Sequence, residues 1–109
     1  MLDQHGIPLI LDEVQTRLGM TGHMWGAQAY GVEPDVVTTA KAIANGWPFS
    51  VTLARNEVAD SLEPGDHYST YGGNPVMCAA ALATIEYVIE NRLWENAREM
   101  GNLLMRRLK

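Results

Sequence analysis

A continuous apolar run near the start of the chain constrains the fold most. Leu9, Ile10 and Leu11 follow one another without the polar alternation of a strand that has one face in water. Such a run is typical of a parallel-sheet strand with both faces covered, and Asp12 and Glu13 end it. Neighbouring side chains of a strand point to opposite sides, so one carboxylate must face the sheet interior or the crevice at the strand's carboxyl end, where open α/β sheets bind ligands.

The rest of the chain predicts an α/β arrangement with a mixed sheet and helices. Runs rich in β-branched and apolar residues predict three strands, near residues 7–12, 35–40 and 49–54. Asn74 and Pro75 have the pattern of an N-cap followed by a first-turn proline, and they predict a helix near residues 75–90. A shorter helix is expected over residues 23–30, and another with Asn56 as its N-cap.

The two C-terminal helices are expected to have different surroundings. Residues 76–85 carry no charge, so the first of these helices should be buried nearly all round, with Cys78 as a packed small hydrophobe. Residues 92–109 show apolar side chains at helical spacing among charged ones, which predicts an amphipathic helix that packs on another surface.

Lys41 is the side chain whose position most needs an explanation. The chain has two lysines, and this one lies between Ala40 and Ala42, after a predicted strand and before the turn-forming sequence NGWP. A desolvated lysine is a good nucleophile toward a carbonyl, which is one interpretation. The alternative is that the side chain carries its ammonium group out to water from the strand end.

The stretch HYSTYGGNP, residues 67–75, is the second unusual element. Hydroxyl groups at Ser69, Thr70 and Tyr71 precede two glycines and a capped helix start. Backbone amides at such a start can hold an anion such as a phosphate. A capped helix after a Gly-Gly turn is also a common structural feature without a ligand, so both interpretations stand.

Composition excludes several classes of function. The formal net charge of -5 argues against a nucleic-acid partner, which needs clustered Lys and Arg. No apolar run approaches the roughly 20 residues of a membrane helix, and no signal pattern opens the chain, so a cytoplasmic location is expected. The three histidines lack metal-ligand spacing, and no metal site is predicted. Dinucleotide and phosphate-loop motifs are also absent.

Four consecutive motifs carry a resemblance to a known family. LILDEVQT, GMTG, GVEPDVVTTAKAIANGWP and HYSTYGGNP look like the motifs of the class III pyridoxal-phosphate aminotransferases, of the acetylornithine and 4-aminobutyrate type, in the same order and with compatible spacing. The resemblance covers essentially the whole chain. It implies the large domain of the fold type I pyridoxal-phosphate transferases, with a mixed, mostly parallel sheet and flanking helices. Residues 1–91 would be part of that domain, and residues 92–109 a helix leading toward a small domain.

The resemblance gives individual residues a role in binding pyridoxal 5'-phosphate. Lys41 looks like the lysine that forms a Schiff base with the cofactor and then moves the substrate proton as general base and acid. Asp12 resembles the aspartate that pairs with the pyridinium nitrogen, Val14 the apolar residue on one ring face, and Gln15 the amide near the phenolic oxygen. Thr70 resembles the threonine that reaches the phosphate held by the partner subunit, which implies a homodimer.

The implied reaction is transamination between an amine or amino acid and a 2-oxo acid or aldehyde. Two alternatives stay open: a racemase, epimerase or decarboxylase of the same fold, and an inactive fragment or interaction module. The sequence departs from the family pattern at Arg17, where a glycine is common, and at Met20, where an arginine is common. The family's main phosphate loop would precede Met1 and its substrate-carboxylate arginine would follow Lys109.

Overall fold

The computed structural model describes residues 2–109 and contains one three-stranded sheet. The strands are β1 (Ile10–Asp12), β2 (Val36–Thr39) and β3 (Val51–Ala54), in the order β1-β2-β3. β2 pairs in parallel with β1 and in antiparallel with β3. This mixed sheet with its helices confirms the predicted α/β class.

The ends of the three strands meet at one edge of the sheet. Asp12 lies opposite Thr38, and Thr39 lies opposite Val51. The carboxyl ends of β1 and β2 and the amino end of β3 therefore share this edge, which we call the site edge.

The ladder is shorter than the apolar runs in the sequence. At its start, the side chain of Asp35 accepts a hydrogen bond from the amide of Leu9 at 2.7 Å, so this part of the chain bonds to a side chain before the ladder begins. The prediction that the run is covered on both faces is wrong within residues 2–109, where Ile10 is 62% exposed. β1 is an edge strand here, and the described residues leave much of it uncovered.

Three α-helices and three short 3-10 helices complete the structure of residues 2–109. The α-helices are α1 (Asn56–Ala59), α2 (Pro75–Glu90) and α3 (Leu93–Leu108). The 3-10 helices span Asp3–His5, Gly26–Tyr30 and Lys41–Ala44.

The predicted caps have opposite outcomes. Asn74 accepts hydrogen bonds from the amides of Val76 and Met77 at 3.0 and 3.4 Å, as an N-cap should. The prediction for Asn56 is wrong, because α1 already includes this residue and Arg55 precedes it without a side-chain cap. The carbonyl of Arg55 accepts the first helical bonds instead, so the N-cap position lies one residue earlier than predicted.

The small core lies between α2 and the 3-10 helix that starts at Lys41. Ile43, Ala44 and Ala81 are its buried members. Partly buried neighbours pack around them: Leu18, Phe49, Val51, Ala80 and Ile85. The residues directly after Lys41 thus anchor the end of β2 to α2.

The prediction that α2 is buried nearly all round is wrong for this chain. Only Ala81 and Val88 of the helix are buried, Val76 and Leu82 are more than half exposed, and Cys78 is exposed rather than packed. One side of α2 meets the core and α3, and the described residues supply no cover for the rest. Like α2, α3 shows large apolar side chains to solvent, and none of its residues 93–108 is buried.

The loop after β1 lies against the first half of α3. A Cβ atom at Gly19 would come within 3.1 Å of the backbone of Trp94, and one at Gly22 within 2.8 Å of the Cβ of Arg98. Both glycines have positive φ angles, of 92° and 84°. Only glycine combines this backbone conformation with so close an approach.

Candidate active site

Asp12 and Lys41 leave neighbouring parallel strands at the site edge. Asp12 is the last residue of β1, and Lys41 follows β2 after one intervening residue. The amide of Glu13 donates to the carbonyl of Thr38 at 2.9 Å, which holds the two strand ends together. Ligands of open α/β sheets bind at such carboxyl ends.

Asp12 is the carboxylate that points outward. It is exposed at the strand end, and its Oδ1 accepts a hydrogen bond from the amide of Val14 at 2.9 Å. This turn fixes the side chain beside a cavity of about 400 Å³, which Thr16, Thr21 and Tyr30 also line. Asp12 is therefore available to a bound molecule.

Glu13 is the carboxylate that points inward, with 3% of its surface exposed. Its two oxygens accept hydrogen bonds from the amide of Gly26 at 2.9 Å, from the amide of Ala27 at 2.6 Å and from the hydroxyl of Thr16. Burial raises the pKa of Glu13, but the bonds from Thr16, Ala27 and Gly26 outweigh it and hold this pKa below its ordinary value. The alternation along the strand required one inward carboxylate but left its identity open.

The two departures from the family pattern have different environments. Arg17 is 3% exposed and donates a hydrogen bond to the carbonyl of Val14, while its Nε has no partner among residues 2–109. Burial lowers the pKa of the Arg17 guanidinium. Met20 is 68% exposed. Arg17 thus bonds the turn that carries Val14 and the exposed Gln15, whereas Met20 lies on the surface.

Lys41 has an unusual backbone. Its φ angle is 56°, a left-handed conformation that costs a non-glycine residue about 1–2 kcal/mol. Residues held in such conformations cluster at functional sites. Its side chain is exposed, so the desolvated amine of one interpretation is not found within residues 2–109, and the structure favours the alternative in which the amine reaches water.

Thr70 lies in a separate segment next to the residues that lead into β3 at the site edge. Its neighbours Ser69 and Tyr71 line a cavity of about 570 Å³ together with Phe49 and Ser50, which lead into β3. Thr70 itself is exposed.

The helix start beside this segment is less suited to an anion than the sequence suggests. The first-turn amides of Val76 and Met77 already donate to Asn74, which favours the structural interpretation of this turn.

The structure brings some of the predicted residues together and leaves others apart. Asp12, Val14, Gln15 and Lys41 follow two adjacent strand ends. Thr70 has no hydrogen bond to any of them within the described part of the chain. Residues 2–109 contain no group of three or more side chains that could hold a metal ion. No helix among these residues is long and apolar enough to cross a bilayer.

Comparisons with known proteins identify one family. The family model of the class-III aminotransferases matches residues 1–109. The chain is 52% identical over 106 residues to the acetylornithine aminotransferase of Methanothermobacter thermautotrophicus, covering 97% of this chain and 27% of that protein. It is 45% identical over 108 residues to the leucine/methionine racemase of Thermococcus litoralis, covering 99% of this chain and 24% of the racemase.

A solved structure shows the same fold. The ornithine delta-aminotransferase of Plasmodium falciparum superposes with a TM-score of 0.93 and 38% identity, over 99% of this chain and 28% of that one. The chain thus spans about a quarter of the length of the relatives it matches. By its matched family model, its sequence identity and its fold, the chain belongs to the class-III aminotransferases.

Proposed function

We propose that the protein carrying this chain is a pyridoxal-phosphate-dependent aminotransferase. It would transfer an amino group between an amine or amino acid and a 2-oxo acid or aldehyde. The observation that carries the proposal is the parallel pairing of β1 and β2, which brings Asp12 and Lys41 to one sheet edge. The acetylornithine aminotransferases among the relatives support the same chemistry.

The side chains at the site edge suit the ring and the aldehyde of pyridoxal phosphate. The carboxylate of Asp12 suits a protonated ring nitrogen, the amide of Gln15 suits the phenolic oxygen, and Val14 offers an apolar contact to the ring. The exposed amine of Lys41 suits the aldehyde. Bound there, pyridoxal phosphate supplies an electron sink for the electrons left when a substrate Cα–H bond breaks.

Each residue then has a defined task. Lys41 would hold the cofactor through its amine and would then carry a proton to and from the substrate carbon, a role that an exposed amine can fill. Asp12 keeps a proton on the ring nitrogen through its negative charge. Thr70 would contact the phosphate of a partner subunit, so we include a homodimer in the proposal, together with a cytoplasmic location.

A racemase is the second candidate, because the leucine/methionine racemase of Thermococcus litoralis is 45% identical to the chain. The same site residues serve both reactions, and the fate of the substrate separates them. A transaminase converts a single enantiomer of an amino acid to its oxo acid and requires an amino acceptor. A racemase produces the opposite enantiomer without any acceptor.

Covalent labelling tests the proposal directly. The protein is incubated with pyridoxal phosphate, reduced with borohydride to fix the carbon–nitrogen link, and digested for peptide mass analysis. We expect the label on Lys41 and not on Lys109, the other lysine of this chain. No label on Lys41 would contradict the proposal.

Replacement of the lysine supplies the kinetic arm of this test. Lys41→Ala should lower the rate of the half-reaction with an amino acid by about 10²–10⁴-fold, the contribution typical of general acid–base catalysis. An unchanged rate in this variant would remove Lys41 from its role.

A further inference from the structure

Glu13 joins two separate segments of the chain through one buried side chain. Its carboxylate accepts a hydrogen bond from Thr16, in the turn after β1, and from Gly26 and Ala27, at the start of a 3-10 helix thirteen and fourteen residues away. No hydrogen bond among residues 2–109 gives the carboxylate a partner outside these two segments.

The surroundings of Glu13 are built for this carboxylate. A Cβ atom at Gly26 would lie 2.8 Å from the Cβ of Thr16 and 3.0 Å from Oε2 of Glu13. The backbone of Gly26 can therefore approach the acid only because it carries no side chain. The ionised carboxylate is an acceptor with two oxygens, so it can satisfy all three donors at once.

The backbone of Glu13 bonds both to the end of β2 and within the turn after β1. Its amide donates to the carbonyl of Thr38 in β2 at 2.9 Å, and its carbonyl accepts from the amide of Arg17 at 3.2 Å. The segment between these bonds holds Val14 and Gln15, and Asp12 directly precedes it. The position of all three depends on how firmly Glu13 is held.

We propose that Glu13 is a positioning residue, whose buried carboxylate clamps the turn after β1 onto the 3-10 helix Gly26–Tyr30 and thereby sets Asp12, Val14 and Gln15 for cofactor binding. The inference rests on the proposed function for the identity of the cofactor. The carboxylate of Glu13 bonds to donors of the chain itself, so its effect would reach the cofactor through the backbone that it holds.

The substitution Glu13→Gln weakens the hydrogen bonds of the clamp and keeps the shape of the side chain. Glutamine keeps the length and volume but offers one acceptor oxygen, and its amino group would face the amide donors of Gly26 or Ala27. The matched control is Glu57→Gln, which makes the same chemical change at an exposed carboxylate in α1.

Two readouts in the protein that carries this chain test the inference. The first is the dissociation constant of pyridoxal phosphate, measured by absorbance titration. The second is the hydrogen exchange rate of the amides of Gly26 and Ala27 in the cofactor-free protein. For Glu13→Gln we expect a dissociation constant about tenfold higher, as the loss of hydrogen bonds to a charged group implies, together with faster exchange. Glu57→Gln should match the wild type in both.

The outcomes separate failure of this inference from failure of the proposed function. If Glu13→Gln exchanges faster but binds pyridoxal phosphate as tightly as the wild type, positioning is overturned. If exchange is unchanged, the clamp is overturned. If the wild type binds no pyridoxal phosphate, both the proposed function and the role of Glu13 in cofactor binding are overturned. The hydrogen exchange of Gly26 and Ala27 still tests whether Glu13 holds the two segments together.

A milder variant keeps the inference testable if Glu13→Gln does not fold. Thr16→Val removes one of the three donors and leaves the carboxylate and both backbone bonds in place. We expect a smaller rise in the dissociation constant, with faster exchange confined to the turn. Unchanged cofactor binding in a folded Thr16→Val protein, combined with faster exchange, would overturn the positioning role.

Discussion

The turn after β1 and the helices α2 and α3 differ in how many of their contacts the described residues supply. Around Glu13, a buried carboxylate finds three hydrogen-bond donors within fifteen residues of chain. Along α2 and α3, large apolar side chains such as Leu82 and Leu104 are more than half exposed. The carboxylate of Glu13 thus finds all its donors within the described residues, whereas the helices offer apolar surface for further contacts.

The two regions differ in whether their geometry is held by local contacts. A buried charge is costly unless every partner is present, so the turn must bring its own donors. Apolar surface tolerates exposure and gains from any cover, so the helices can rely on surfaces beyond this chain. We therefore expect substitutions in the turn to lower the free energy of unfolding strongly and substitutions on the exposed helix faces to lower it weakly.

The largest effect is expected where the two regions touch. Gly22→Ala places a Cβ atom 2.8 Å from that of Arg98 and also forces alanine to a φ angle of 84°. We expect a loss of about 2–4 kcal/mol in the free energy of unfolding, measured with urea.

Gly31→Ala is the matched control for this substitution. Gly31 also has a positive φ angle, of 62°, but a Cβ atom there would have no neighbour within 4 Å among residues 2–109. Only the backbone cost of about 1 kcal/mol should therefore remain. Equal losses in the two variants would show that the loop does not pack tightly on α3.

The next effect lies inside the turn. Gly26→Ala would push a methyl group into Thr16 and Glu13, and we expect a loss of about 1–3 kcal/mol in the free energy of unfolding. Gly101→Ala, in the middle of α3, adds a methyl group that meets no described residue within 4 Å, and it should instead stabilise the protein by about 0.5–1 kcal/mol. Stabilisation by both substitutions would contradict the close approach of Gly26 to the acid.

Acid should weaken the turn through Glu13. Because its pKa is lower in the folded protein than its ordinary value of 4.5, the ionised carboxylate stabilises the fold above that pH. This contribution is lost as the pH falls through the lowered pKa. We expect the stability difference between the wild type and Glu13→Gln to narrow in acid, measured by urea unfolding across the pH range. A constant difference would contradict a depressed pKa.

The smallest effect is expected on the exposed helix face. Leu104→Ser, at a side chain that is 58% exposed, should change the free energy of unfolding of the 109-residue chain by no more than about 0.5 kcal/mol. Ile43→Ser, at a position 3% exposed, should cost several times as much. A large loss for Leu104→Ser would mean that α3 is covered, and the contrast between the turn and the helices would then fail.

Local sequence signals predicted the class of the fold. The apolar run before Asp12 and the β-branched run before Lys41 predicted strands, and their parallel pairing brings both residues to one edge. The cap at Asn74 was predictable because it depends on neighbours only two and three residues away. The residue roles and the division at residue 91 stay predictions.

The remaining features depend on contacts that no local pattern contains. The choice between Asp12 and Glu13 is decided by amides at residues 26 and 27, far along the chain. The exposure of Cys78 and of most of α2 depends on which neighbouring surfaces are present, and an uncharged helix carries no information about that. The burial of Arg17 follows from the path of a glycine-containing loop rather than from its charge.

The left-handed backbone at Lys41 sets the stability of the fold against the presence of an amine at the site edge. Glycine would adopt a φ angle of 56° without the penalty of about 1–2 kcal/mol, so the same fold would be more robust without its lysine. Selection or engineering for heat resistance alone would favour the substitution Lys41→Gly, which would remove the amine from the site edge. Under the proposed function, a protein that retains Lys41 accepts this backbone penalty and keeps the amine at the site edge.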